Sequence, residues 1–360
     1  MQKNRWIAAA LSAAFLLSGC GMSEQSNSNA LNQGDYAAAL PFQESNTRVK
    51  HVSLISDMDV RTEVERGLMD LSKQYFSPGE VAFRSHTFLN YDELDATDGS
   101  RGLLGTLRDG NPNGLNPNSN EEFDTGNGVV KGGIILVDIY ELDWYRNDKL
   151  AGISLGLVVN DKITYNNQEY EITPEKMENY LNITFSKLVT YMRERFNEVT
   201  VNVPVFAAAY ELNSDALSSS KGGYVYDGYF DGTNSTFHTL NQTDMIVPSA
   251  QFSAADPEMA DNFTKYKNVL VNILPESTYV TAQALLNQGV TQKLDITITA
   301  HGKTLAEIMA VTQEARENLN LFTDTECAYN VTVKNDDEVY ALMHRAKDST
   351  NVYILSLIHI

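Results

Sequence analysis

The sequence predicts an α+β fold with mixed or antiparallel sheets and amphipathic helices, arranged as two α+β subdomains. Three observations carry that expectation. Apolar residues recur at helical spacing in four separate stretches. Asn287-Gln288-Gly289 separates two alternating runs, as a tight hairpin would. Strand, helix and strand follow one another twice, over 153–210 and 294–333, without enough residue match to define a repeat. Helices interspersed with hairpins favour α+β packing over a doubly wound sheet.

The chain opens with two basic residues, Lys3 and Arg5, and then an apolar stretch over 7–17. That stretch is too short for a stable membrane span and has the form of a secretory leader. Leu17-Ser18-Gly19-Cys20 then reads as a lipobox. Small side chains admit the peptidase, and the Cys20 thiolate takes the diacylglyceryl group. Cleavage between Gly19 and Cys20 makes 1–19 the leader and leaves Cys20 as an acylated N-terminus on a membrane surface. Residues 20–35, rich in Ser, Asn and Gln, are expected to form a flexible tether.

A first α+β domain is expected over 36–246. Val60, Val64, Leu68, Leu71 and Tyr75 share one helical face, with Asp57 or Asp59 as the cap and Pro78-Gly79 as the stop. Residues 81–91 read as extended. Glycines and prolines over 98–127 predict a long irregular excursion. Periodicity is mixed over 134–145, and 153–159 alternates as a strand. Thr173-Pro174-Glu175 predicts a helix start through a threonine cap, a proline at the first position and an acid at the positive end of the dipole. Met177, Leu181, Leu188, Met192 and Phe196 supply its apolar stripe. Residues 199–210 read as a strand, placed near an edge or bulge by Pro204, and 222–230 as strand and turn.

A second subdomain is expected over 247–354. Asp256-Pro257 starts a helix with Met259, Phe263, Tyr266 and Leu270 inward, stopped by Pro275. The hairpin follows, then a helix carrying Leu305, Ile308, Met309, Thr312, Ala315 and Leu319. Residues 328–333 and 352–354 read as strands. The hexapeptide 355–360 reads as a non-native tail outside the fold, with the natural end lying beyond Ile354.

Composition narrows the function. A formal charge of -20 over 360 residues argues against nucleic acid and against a polybasic grip on anionic lipid. There are two cysteines. With Cys20 acylated, Cys327 has no disulfide partner and no zinc site of cysteine type, and reads as a core residue. No His-Glu-x-x-His, phosphate loop or dinucleotide fingerprint occurs, so no cofactor is expected. Gly152-Ile153-Ser154-Leu155-Gly156 matches a nucleophile elbow only in letters, because its serine lies within a strand. Asp57 with Asp59 and Asp227 with Asp231 could serve acid–base or calcium chemistry, but read better as helix caps and Asp-Gly turns. Tyr224, Tyr226, Tyr229 and Phe230 form the candidate binding surface, able to stack on sugar rings or peptide side chains. The competing reading, which the residue types favour, is a hairpin whose aromatics face a core.

Several stretches together resemble the CamS family of sex-pheromone precursor lipoproteins of low-GC Gram-positive bacteria. They are the lipobox, YAAALPFQESNTR at 36–48, GLMDLSK at 67–73 with Phe76 and Pro78, Leu115-Asn116-Pro117, Leu142-Asp143-Trp144-Tyr145, Val247-Pro248-Ser249 and Asn262-Phe263. The resemblance implies that the processed leader releases a short apolar pheromone, here Ala13-Ala14-Phe15-Leu16-Leu17-Ser18-Gly19. Ala14, Ser18 and Gly19 depart from the family's usual isoleucine after the first alanine and its Ala-Ala or Ala-Ser ending.

The expectation is therefore a lipid-anchored protein on the extracellular face of the cell membrane. Its partners are the membrane, through Cys20, and lipoprotein-processing enzymes. Its mature body is expected to be non-catalytic. The alternative is an extracellular binding module for cell-wall glycan or peptide.

Overall fold

A computed structural model describes residues 30–31, 34–55, 57–95 and 102–357. Residues 13–19 and Cys20 lie outside that set, as does most of the tether.

In the first half the elements are β1 (Ala37–Ala38), α1 (Asn46–His51), α2 (Met58–Ser72), β2 (Ala82–Ser85), α3 (Tyr91–Asp95), β3 (Glu122–Asp124) and β4 (Val129–Lys131). They continue through β5 (Leu136–Arg146), β6 (Lys149–Asn160), β7 (Lys162–Tyr165), β8 (Gln168–Glu171), α4 (Pro174–Arg195), β9 (Val205–Leu212), β10 (Ser220–Asp231) and β11 (Asn234–Thr239). The second half runs β12 (Gln242–Val247), α5 (Ala250–Ala255), α6 (Pro257–Ile273), β13 (Thr278–Asn287), β14 (Val290–Ala300), α7 (Leu305–Glu317), β15 (Ala328–Asn335), β16 (Glu338–Arg345) and β17 (Tyr353–Ser356).

The fold is α+β. One 13-stranded sheet has the order β1-β2-β5-β6-β9-β10-β12-β13-β14-β15-β16-β17, with β11 added beside β10. Most neighbours are antiparallel. β1 with β2, β6 with β9 and β14 with β15 are parallel, and in the last two pairs a helix, α4 or α7, carries the chain across. Both halves thus contain a hairpin, a crossover helix and a second antiparallel pair: β5–β6, α4, β9–β10, then β13–β14, α7, β15–β16. The expected line between 246 and 247 falls at the last residue of β12, which pairs along its length with β13.

The halves differ in how their faces are covered. Ile153, Leu155, Leu157, Ala207 and Ala209 pack under α4, while Val158, Phe206, Ala208 and Tyr210 pack under α2 on the opposite face. With both faces buried, these strands read as unbroken apolar runs. In the second half α6 and α7 cover one face, and β13 alternates buried and exposed residues along its length.

Local chemistry accounts for the helix ends. Asp57 accepts the Asp59 and Val60 N–H groups at 2.9 and 3.3 Å and caps α2. That helix stops at Ser72, so Tyr75 and Phe76 lie in the following turn. Thr173 precedes α4 without a side-chain cap bond; the proline at the first turn removes one donor that would otherwise need a partner. Thr304 and Glu307 close a reciprocal capping box on α7. On that helix Val311 faces the core, whereas Leu305 and Met309 are exposed.

Other expectations are corrected. Residues 199–204 form turns, and β9 begins just after Pro204, which has no N–H for the ladder. β9 is therefore an interior strand. Residues 102–121 are irregular yet held down: buried Asn116 donates to the Leu104 and Leu136 carbonyls at 2.8 and 3.0 Å and accepts the Ile135 and Leu136 N–H groups, both at 2.8 Å. β16 was not expected. Leu355 and Ser356, expected outside the fold, pair with Leu342 and Ala341. Edge pairing uses the main chain alone, so side-chain identity does not prevent it. At the hairpin, Gln288 and Gly289 both have positive φ, 52° and 79°, as a two-residue type I′ turn requires.

Close approach of α2 to the sheet depends on glycines. A Cβ on Gly67 would meet the Tyr224 ring at 2.5 Å, and one on Gly152 would meet the Phe76 ring at 2.1 Å. Phe76 is buried beside Trp144, their ring centroids 5.6 Å apart, and has no room to yield. Gly152→Ala is expected to lower urea-unfolding stability by about 2 kcal/mol. Gly110→Ala, with open space around it, should change it by less than about 0.5 kcal/mol.

Candidate functional site

The tyrosine cluster is not a surface. Tyr224, Tyr226 and Phe230 are all buried, and only Tyr229 is partly exposed. A β-bulge between Tyr224 and Tyr226 sends residues two apart to opposite faces. Tyr224 therefore enters the core under α2, donating its hydroxyl to the Val64 carbonyl at 2.5 Å. Tyr226 and Phe230 enter the core under α4, and Tyr226 donates to Asn182 Oδ1 at 3.0 Å. Tyr229 stacks on Tyr75 at 4.0 Å with the rings 7° apart. The expected stacking face for sugars or peptides is thus corrected, because helices cover both sides of β10.

Asp57, Asp227 and Ser154 have structural partners. Asp57 caps α2 and pairs with Lys221 at 3.2 Å. Asp227 lies within β10 rather than in a turn, with His238 Nδ1 2.8 Å from its carboxylate. Ser154 is buried; Trp144 Nε1 donates to its hydroxyl at 2.8 Å, and Ser72 Oγ lies at the same distance. Burial pushes the Cys327 thiol up to about 12, which leaves it unreactive at neutral pH. Among the described residues, no group of three or more His, Cys, Asp or Glu is placed to hold a metal ion. No described helix is long and apolar enough to cross a membrane.

The densest polar chemistry lies on β5. Asp138, Glu141 and Asp143 interrupt an otherwise apolar strand and are all shut away from solvent. Arg48 grips Asp138 with two N–H groups at 2.8 and 3.0 Å, and its guanidinium lies 4.1 Å over the Tyr140 ring. His51 Nδ1 sits 3.1 Å from the same carboxylate and its Nε2 2.9 Å from Asp95. Burial would raise the Asp138 carboxyl, but the His51 and Arg48 hydrogen bonds outweigh it and hold the group below its ordinary range.

Glu141 and Asp143 work on the segment after β2. Phe88 and Leu89 donate their N–H groups to Glu141 at 3.1 and 2.7 Å, and Thr87 donates to Asp143 at 3.0 Å. His86 begins that turn with φ of 51°, and its Nδ1 lies 2.9 Å from the Leu89 carbonyl. Burial pushes His86 down to about 3, so the ring is neutral and Nδ1–H is the donor. Burial raises both carboxyls, and the neighbouring Asp143 raises Glu141 further. These groups meet main-chain amides instead of open solvent, so the arrangement clamps a loop. The sequence signal for it was three acids within a strand of mixed periodicity.

Beside this clamp is a groove of about 400 Å³, with Ala39, Phe42, Arg48, Val49, Arg84 and Ser85 in its walls. A second polar cluster joins the halves. Arg66 on α2 pairs with Glu63 and reaches Asp295 on β14 at 3.5 Å, while Lys293 holds Asp295 at 2.9 Å. Asp244 on β12 lies 3.4 Å from the Tyr210 hydroxyl, and burial, then Glu63, push its carboxyl up to about 7.

The family described as the CamS sex pheromone cAM373 precursor has a sequence model that matches residues 42–351. In fold, the chain is similar to the crystal structure of a sex pheromone precursor from Lactobacillus salivarius subsp. salivarius UCC118. The two share 22% identity, over 91% of this chain and 97% of that one, with a TM-score of 0.76. It is also similar to the C-terminal domain of the sex pheromone staph-cAM373 precursor from Staphylococcus aureus. That match has 18% identity, covers 84% of this chain and 98% of the other, and has a TM-score of 0.68. No curated protein matches the chain at a significant level.

Two outcomes test these polar clusters. Asp138→Ala strands Arg48 and His51 and should reduce unfolding free energy by about 3 to 5 kcal/mol in urea titration. The exposed pair partner Asp70, 2.7 Å from Lys73, should tolerate alanine within about 0.5 kcal/mol. Asp244 keeps its proton in the folded state to about 7, whereas an unfolded aspartate loses it near 4. Its contribution is complete at low pH and is lost as pH rises through that window. Asp244→Asn should therefore gain melting temperature relative to the parent as pH rises from 5 to 8.

Proposed function

Because the chain belongs to the family of CamS sex pheromone cAM373 precursors, we propose that it is a lipid-anchored extracellular protein whose leader supplies a short apolar peptide and whose body is not a catalyst. The observation that carries this reading is the lipobox ending at Cys20, directly behind an apolar stretch of leader length. Acylation of Cys20 sets the compartment, and the same cleavage separates residues 13–19 from the body. That peptide has no charged side chain and can partition into a membrane. Processing enzymes and the membrane are the partners this chemistry requires.

The enclosed carboxyls of β5 support a structural role. Glu141 and Asp143 are fully enclosed and bound to the amides of residues 87–89. A second reading of the body, as a binding module for cell-wall glycan or peptide, is favoured by the groove beside Arg84 rather than by the tyrosines.

Cys20→Ala should abolish incorporation of radioactive palmitate and shift the protein from the membrane fraction to the medium. Continued labelling of that variant would overturn the anchor. Mass spectrometry of the medium should find a peptide from residues 13–19, and its absence from cells that process the leader would remove the precursor role.

A further inference from the structure

The groove beside the β5 clamp has three features that together describe a ligand. The first is an open sheet edge. β1 pairs with β2 over only two residues, Ala37 with Ala82 and Ala38 with Phe83. The Ala39 N–H still reaches the Phe83 carbonyl at 2.9 Å, and then the chain turns away. His86 donates its N–H to Glu141 at 3.2 Å on the β5 side, so by strand alternation the Ser85 main chain points to the side β1 has vacated. Its N–H and C=O are available for one more strand.

The second feature is apolar lining. Phe42 is 73% exposed and Val49 60% exposed, both at the groove. Large side chains so open to water mark a contact surface when they gather in one concavity.

The third feature is cationic. Arg84 lies 4.7 Å over the Tyr145 ring, stands opposite the enclosed Asp143 across the β2–β5 pair, and has a buried Nε without a hydrogen-bond partner. Arg48 stands on the same wall but is committed to Asp138. Glu44 and Glu65 also line the groove, and burial raises the Glu65 carboxyl.

We infer that this groove binds a short, extended, apolar peptide ending in a free carboxylate, and that its occupant is the chain's own released segment, residues 13–19. The peptide adds as a strand along Ser85, places its apolar side chains against Phe42 and Val49, and sets the Gly19 carboxylate against Arg84. Residues 13–19 carry no charged side chain, and cleavage before Cys20 creates the carboxylate on Gly19. The volume of about 400 Å³ suits a few residues of peptide rather than a folded partner. The inference rests on the leader reading for the identity of its ligand, and makes the body a carrier of the peptide that shares its precursor.

The test uses the full lipidated chain in nanodiscs and a synthetic, N-terminally fluorescent Ala-Ala-Phe-Leu-Leu-Ser-Gly, followed by fluorescence anisotropy. Binding should be saturable, and amidating the peptide's C-terminus should weaken it at least tenfold with no change to the protein. Arg84→Ala should give a similar loss. Ser85→Pro, which deletes the outward N–H without touching the β5 ladder, should weaken binding by at least threefold, with near-ultraviolet circular dichroism unchanged. Equal binding of the amidated or a scrambled peptide would overturn the proposal. So would quenching of a reporter at Val49 by brominated phosphatidylglycerol, which would assign this face to the bilayer. Because the peptide is synthetic, loss of binding counts against the groove alone, whereas binding without any such peptide in the medium counts against the leader reading alone.

Discussion

Asp138, Glu141 and Asp143 are taken out of water on one strand, and each must find a donor there. Unpartnered, a buried carboxylate costs several kcal/mol, so the donors are held as firmly as the acids need them. Asp138 draws in Arg48 and His51 and thereby fixes α1 against the sheet. Glu141 and Asp143 draw in the amides of 87–89 and fix the chain leaving β2. The groove exists because these two attachments stand apart, with β1 ending between them.

The two halves of the sheet solve one topology in different ways. In the second half, helices cover one face and the other meets water, so residues simply alternate. In the first half both faces are covered, and the helix on one of them must come close. Gly67 and Gly152 permit that approach, and Ala208 keeps β9 slim beneath it. The junction between halves is polar, built from Arg66, Asp295, Lys293 and Asp244. A polar junction ties the halves by charge and geometry, where the cores on either side are tied by exclusion of water.

The aromatic run at 224–230 shows how a local pattern can mislead. Four rings within seven residues suggest a sticky patch, and alternation places three of them on one face. The bulge after Tyr224 breaks the alternation, and α2 and α4 close over opposite sides. No property of those residues signals the bulge, which lies where β10 leaves its pairing with β12 and begins its pairing with β11. The acids of β5 were hidden for the complementary reason. An acid in a strand reads as solvent-facing until the segment that supplies its donors, 48–95 in sequence, is seen folded over it.

The sequence by itself determined what depends on neighbours along the chain. It located α2, α4, α6 and α7 through their apolar stripes, the Asp57 and Asp256 caps, the turn at Gln288-Gly289 and the one-face-covered strands. It also carried the motif around Cys20, whose meaning is chemical rather than geometric. Tertiary structure alone decided which strands are buried twice, where β9 begins, that Leu355 and Ser356 join an edge, and that an open edge, two arginines and exposed apolar side chains share one groove. Those outcomes depend on contacts between residues tens of positions apart, and short-range periodicity carries no record of what will lie on the far side of a strand.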